Sequence, residues 1–235
     1  VGDQALGANT TADNNTAVGT SALGANTTGA SNVALGTNAL TANTTANNNT
    51  AVGTSSLLVN TTGANNVALG TNALVANTTG AYNTAVGAVS LDANTTGVRN
   101  TAMGWSSLGS CTTGNYNTAY GMQTLDGTTT QSNNTAVGYE ALNQNAADNN
   151  TAVGHQAGAA LTVGTENVVL GDRALTTDTK GSKSIAIGQG ALNGQNFTSA
   201  TDVYNTAVGA KAGLSVTTGV NNTLIGGLAG DALTD

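Results

Sequence analysis

Proline is absent from this 235-residue chain, and cysteine, tryptophan, phenylalanine and histidine occur once each. A single cysteine excludes a disulfide framework and a zinc ribbon. A single histidine leaves no histidine-metal cluster within one chain, so neither a metal nor another cofactor is expected. Charged residues make up only 7% of the sequence, against about a quarter in an ordinary soluble domain. Five Lys and Arg among twelve Asp and Glu build no phosphate-neutralising stripe, which argues against nucleic acid as a partner. No apolar run approaches the roughly 18 residues of a membrane span, so no membrane insertion is expected within this segment.

What fills the chain is small. Alanine, threonine, asparagine and glycine supply more than half of it. They recur in the motif Asn-Thr/Val-Ala-Val/Leu-Gly, whose glycines run Gly2, Gly19, Gly36, Gly53, Gly70, Gly87, Gly104, Gly121, Gly138, Gly154, Gly171, Gly188, Gly209 and Gly226. The spacing is 17 except for a step of 16 ending at Gly154 and a step of 21 ending at Gly209. Fixed-period self-similarity marks a repeat architecture. A helical array is excluded, because no stretch has a 3.6-residue period and glycine and β-branched residues fill every unit.

The pattern therefore predicts an all-β fold, a parallel β-solenoid of 17-residue coils with two short strands per coil. A single repeat domain over 1–235 would hold about 13 coils, irregular at 139–154 and 189–209. Stacked about 4.8 Å apart, they would make a rod of roughly 60 Å. The sequence opens and closes inside a repeat without a polar cap, which predicts a segment of a longer chain or filament.

Stacking turns the sequence into columns. The asparagine column (Asn15, Asn32, Asn49, Asn66, Asn83 and onward, with Ser184 as the substitution) predicts an amide ladder. The glycine column (Gly19, Gly36, Gly53, Gly70, Gly87) predicts positive φ or a close backbone approach. Between them, alanine is almost invariant (Ala17, Ala34, Ala51, Ala68) and the next position is large (Val18, Leu35, Val52, Leu69). Neighbouring residues of a strand face opposite sides, so both faces are apolar, and a strand apolar on both faces calls for a second partner. This predicts an oligomer packed along the solenoid; the alternative is that small side chains simply face solvent. A second strand carries the leucine column (Leu23, Leu40, Leu57, Leu74), expected to fill the coil interior. The Asn-Thr-Thr-Gly turns that follow also match N-glycosylation sequons, a match that the composition alone favours.

The segment Ser184-Ile185-Ala186-Ile187-Gly188-Gln189-Gly190-Ala191 resembles the head repeat of trimeric autotransporter adhesins, the YadA-type left-handed β-roll. The Asn-Thr-Ala-Val-Gly units resemble that motif and the repeats of bacteriophage tail fibres. The resemblance covers essentially the whole chain, with a repeat somewhat longer than the usual one and no recognisable neck, stalk or anchor. It implies a homotrimer in which each coil turns a strand toward the three-fold axis, and a head that binds host or matrix surfaces.

Chemistry is sparse. The residue after each motif glycine changes from Thr20, Thr37, Thr54 and Thr71 to Trp105, Tyr139 and His155. If exposed, these aromatics form a patch that could stack on sugars or anchor a partner. The insertion between Asn193 and Tyr204 carries Phe197 and joins the candidate patch, because solenoid insertions form loops on one face. No nucleophile elbow and no marked carboxylate pair point to an enzyme. The expected function is a structural fibre or adhesin segment, extracellular, on a cell surface or on a virion. Its expected partners are copies of itself and a carbohydrate or cell-surface receptor. The alternatives are an ice-binding solenoid using threonine ladders and a polysaccharide-degrading tailspike.

Overall fold

A computed structural model describes residues 1–234. Among them there is no helix, and the chain is a parallel β-solenoid. It divides into two compact units, Val1–Asn117 and Thr118–Asp235. The first holds β1 (Thr16–Val18), β2 (Val33–Leu35), β3 (Thr50–Val52), β4 (Val67–Leu69), β5 (Thr84–Val86) and β6 (Thr101–Met103). The second holds β7 (Thr118–Tyr120), β8 (Thr135–Val137), β9 (Thr151–Val153), β10 (Val168–Leu170), β11 (Gly181–Ser182), β12 (Ile185–Ile187), β13 (Thr201–Asp202), β14 (Thr206–Val208) and β15 (Thr223–Ile225).

Within the first unit each strand pairs in parallel with the next, Ala17 opposite Ala34 and Ala34 opposite Ala51. Within the second unit the motif strands also pair in parallel, with β10 joined to β12 and β12 to β14. β11 and β13 form a separate two-stranded pair, Gly181 opposite Thr201. The insertion thus adds a rung of its own where the 17-residue spacing breaks.

The alanine column faces the coil interior and is almost wholly buried, as are the leucines from Leu23 to Leu192. The interior is narrow because alanine sets its width on one side and leucine fills it from the other. The strand residues that flank each alanine face outward in the single chain. Within the single chain the alanine side is covered by the coil interior and the opposite side is bare.

The predicted second strand is not a strand. Ser21 and Leu23 both have positive φ, 57° and 51°, and the same pair recurs at Ser55 and Leu57 and at Ser106 and Leu108. Ala22 N–H bonds Gly19 O, Gly24 N–H bonds Ser21 O, and Asn26 N–H bonds Leu23 O. The segment is a run of overlapping four-residue turns. The first two place positive φ at the third residue, as type II turns require. Alternate amides escape to the neighbouring coil, Leu23 N–H to Ala39 O and Ala25 N–H to Thr41 O, both at 3.0 Å. Leucine in the left-handed region costs on the order of 1–2 kcal/mol, and burying its side chain returns about 1.5–3 kcal/mol. The burial wins.

Three coils resolve that conflict differently. Gly158, Gly213 and Gly230 stand at the leucine position with φ of 59°, 62° and 64°. In those coils the asparagine three residues on becomes Leu161, Val216 and Leu233. A Cβ built on Gly158 would lie 3.1 Å from Leu161 Cδ1 and 3.1 Å from Leu142 Cδ2. At Leu161 and Val216 the apolar side chain has moved from one column to another while the interior stays filled; Leu233, in the last coil, is exposed.

The motif glycines are required on two counts. Gly53 has φ 128°, and a Cβ on it would lie 2.6 Å from the carbonyl of Gly70 in the next coil. The glycines of the Asn-Thr-Thr-Gly turns differ from expectation. Gly63 and Gly80 have no positive φ, and what excludes a side chain there is an asparagine amide and the carbonyl of the next coil. Ala46 occupies the same column and is buried.

Two asparagine columns share the polar work. In the predicted ladder most contacts join side chain and backbone: Asn49 N–H donates to Asn32 Oδ1 at 2.9 Å, and Asn49 Nδ2 donates to Gly63 O at 2.9 Å. Direct amide bonds also occur there, Asn117 Nδ2 to Asn100 Oδ1 and Asn167 Nδ2 to Asn150 Oδ1, both at 3.2 Å. A longer run of direct amide bonds in the first unit lies in the turn column. There Asn43 Nδ2 donates to Asn26 Oδ1 at 2.9 Å, Asn60 to Asn43 at 3.1 Å, Asn77 to Asn60 at 2.8 Å and Asn94 to Asn77 at 2.8 Å. Each amide also donates to the glycine or alanine carbonyl three residues on, as Asn60 does to Gly63 O at 2.9 Å. These side chains are buried, and a buried amide without partners costs about 1–3 kcal/mol. Cys111 takes the place of the next asparagine, and Asn94 Oδ1 is left without a partner.

Candidate contact surfaces

Three exposed columns carry the side chains that could meet another molecule. The first is the outer face of the strands. In the first unit it presents Val18, Val33, Leu35 and Leu69, each more than a third exposed, with Leu35 at 47%. In the second it presents Tyr120, Val168, Leu170, Ile185 and Ile225. No charged residue occurs at either outward position of any motif strand. Exposed sheets normally carry charges that discourage association, and this face carries none.

The second column follows the motif glycine and is exposed in every coil from Thr20 to Ala210. The first unit shows Thr20, Thr37, Thr54, Thr71, Ala88 and then Trp105, which is 51% exposed. The second unit brings Tyr139 and His155 together as a stacked pair, ring centroids 5.5 Å apart and planes 13° from parallel. His155 Nδ1 lies 2.9 Å from Asp172 Oδ1, one coil on. Beside this trio runs a polar rail: Gln156 Nε2 donates to Glu140 Oε2 at 2.7 Å, and Arg173 Nε donates to Gln156 Oε1 at 3.3 Å. Hydrogen bonding to Glu140 raises the Tyr139 phenol above its ordinary pKa. The Gln156 amide, followed by the Tyr139 hydroxyl, holds Glu140 below the usual carboxylate range. Trp105 belongs to the first unit and the Tyr139–His155 pair to the second.

Phe197 does not join an exposed patch. It is 6% exposed, and the cause is Asp178, a buried carboxylate standing in the asparagine turn column. Asp178 Oδ1 accepts from Phe197 N–H at 3.1 Å and from Gly181 N–H at 3.0 Å, while Oδ2 accepts from Gln195 Nε2 at 2.6 Å. These bonds pin the start of the insertion against the coil and turn its one phenylalanine inward.

The third column was missed by reading from the glycines. It is the residue just before each motif asparagine, a position of positive φ: Asn48, Asn65, Tyr82, Arg99 and Tyr116 in the first unit. The Arg99 guanidinium sits 5.5 Å from the ring centroid of Tyr82 and 5.5 Å from that of Tyr116. Arg99 Nη1 donates to Tyr116 Oη at 2.8 Å. In the second unit the column holds Lys183 and Tyr204. Lys183 Nζ lies 5.1 Å from the Tyr204 ring and 2.6 Å from Asp202 Oδ2. The hydrogen bond to Asp202 raises the lysine pKa. The signal was present in the sequence as Tyr, Arg and Tyr at successive 17-residue steps.

The remaining features offer little chemistry. A groove of about 430 Å³ is lined by Gln4, Gly7, Ala8, Ser21, Gly24, Ala25 and Thr41, with no ionisable side chain among them. Among the described residues no group of three or more His, Cys, Asp and Glu could hold a metal ion, and no helix is long and apolar enough to cross a membrane. No family model matches the chain, and no curated protein or solved structure matches it.

Proposed function

We propose that this chain is a structural fibre or adhesin segment, a stiff extracellular or virion-surface element that self-associates along its strands and presents binding patches. The observation that carries the reading is the outward strand face. It is built of Val, Leu, Ile, Met, Tyr and Thr, lacks charge, and repeats in register from coil to coil. A contiguous apolar surface of this kind marks an interaction site. A second copy of the chain is the occupant that fits best, because it carries apolar side chains at the same coil spacing. Three chains arranged about a common axis, as in the left-handed β-rolls that the motif resembles, would cover one such face per chain. The exposed Tyr139–His155 pair is then left free to meet a carbohydrate or a cell-surface receptor. Light scattering on the native protein tests the reading: a closed trimer gives about 68 kDa, three chains of 22.8 kDa in a cyclic assembly. A monomer at micromolar concentration overturns it.

A specific observation also favours the ice-binding alternative. Thr11, Thr28, Thr45, Thr62, Thr79, Thr96 and Thr113 recur at 17-residue steps and are all exposed, a longer ladder than Thr20 to Thr71. A monomer that separates the freezing and melting points of ice would establish that reading. A trimer without such activity would dismiss it.

A further inference from the structure

We propose that Tyr82, Arg99 and Tyr116 form a binding site for the carboxylate of a terminal acidic sugar. Arg99 is the only Lys or Arg in residues 1–117. Its guanidinium lies between the Tyr82 and Tyr116 rings, which are 57% and 52% exposed. The two rings and the Nη1 bond to Tyr116 Oη hold a side chain that would otherwise sample many rotamers. That pre-organisation removes part of the ordering cost of binding. Among the described residues no carboxylate pairs with Arg99, whereas Lys183, in the same column of the second unit, is paired with Asp202.

The ligand class follows from the donors. A guanidinium has five N–H groups in a planar fork, and one of them is engaged here. The fork matches a carboxylate in bidentate fashion, in a way a lysine ammonium does not. The flanking tyrosines add apolar ring edges and hydroxyls, the surroundings that suit a sugar ring. The net charge of −7 disfavours a polyanion lying along the surface, so one acidic residue at a chain end fits better than a run of them.

This site adds to the surface-binding reading but uses different residues from the Tyr139–His155 pair and does not depend on self-association. The test is a titration of the native protein with a glucuronyl disaccharide and with the matching neutral glucosyl disaccharide. It is followed by the NMR signals of the Arg99 side chain and the Tyr82 and Tyr116 rings, with native mass measured on the same samples. The expected result is saturable binding of the glucuronyl compound at least tenfold tighter than the glucosyl one. Affinity should fall at least tenfold in Arg99→Gln, fall less in Arg99→Lys, and weaken several-fold when salt is raised from 20 to 300 mM. Arg99→Lys keeps the charge and the aliphatic stem, and circular dichroism checks that each variant folds. Equal binding of the two disaccharides, equal binding by Arg99→Gln, or the same shifts from acetate alone would overturn the proposal.

Discussion

Exchanging the leucine and asparagine columns in one coil of the first unit should be tolerated although each half of the exchange is not. The pair is Leu57 and Asn60, to be replaced by Gly and Leu as found at Gly158 and Leu161. Leu57 is fully buried with φ 49°. Removing a buried leucine costs about 2–5 kcal/mol, and glycine recovers about 1 kcal/mol of the strain at positive φ. Leu57→Gly alone should therefore cost about 1–4 kcal/mol. Asn60→Leu alone has three penalties, one of them the loss of the acceptor for Asn77 Nδ2. It orphans Asn43 Oδ1, which accepts from Asn60 Nδ2, for about 1–3 kcal/mol. It also crowds Leu57, since the Gly158 position leaves no room for a side chain beside Leu161, for about 1–3 kcal/mol.

In the double variant the new leucine fills the space that Leu57 vacates. The orphaned acceptor has a remedy that the second unit already uses. Opposite Leu161, Asn145 Oδ1 accepts from Asn150 Nδ2 at 3.1 Å, and Asn49 occupies the equivalent position for Asn43. The double variant should be more stable than the sum of the singles by about 2–3 kcal/mol. Urea unfolding followed by circular dichroism measures the cycle. Comparison of two probes guards against the partial unfolding that repeat arrays permit. Additivity within about 0.5 kcal/mol would refute the column-exchange argument.

Gly53→Ala should be among the most damaging single changes, costing more than about 3 kcal/mol, because it combines positive φ with a backbone collision; a midpoint within experimental error of wild type would contradict this. Burial raises the Cys111 thiol to about 11, with a backbone hydrogen bond at Gly114 acting the other way. At pH 8 the thiolate is therefore scarce, and Ellman's reagent should react only after denaturation; prompt reaction in the folded protein would show the site to be open. Glu140→Gln should lower the Tyr139 phenol toward its ordinary value, since the hydrogen bond to Glu140 is the main cause of its rise. Ring-carbon NMR across pH 8–12 would show the shift, and an unchanged titration would place the cause elsewhere.

The period and the buried leucines were legible because stacking forces every coil to repeat the same spacing. The alanine column was legible as a close-packed face, though its inward direction was not. The second strand was misread because an Ala-Leu pair looks extended in sequence. Only the positive φ at Ser21, Leu23 and their equivalents shows that it is a chain of turns. The asparagine ladder was legible in the motif column, but the second, turn-column ladder from Asn26 to Asn94 was not, since composition alone does not distinguish a side chain that bonds its neighbour's amide from one that bonds the backbone. Phe197 illustrates a different limit. The insertion is exposed at Thr198–Ala200, but one buried carboxylate, Asp178, supplies enough acceptors to draw Phe197 inward. The Tyr82–Arg99–Tyr116 column was overlooked because the aromatics were sought only beside the glycines.

The outward strand face is the feature on which the account depends, and the native mass of a face variant tests it most directly. Leu35 and Leu69 lie two coils apart on that face, both exposed and clear of the buried interior. Leu35→Arg together with Leu69→Arg places two charges where no motif strand carries one. The account predicts that wild type scatters as about 68 kDa in a cyclic assembly and that the variant, with unchanged circular dichroism, scatters as the 22.8 kDa chain. Equal masses for the two proteins, whether both monomeric or both assembled, would contradict it.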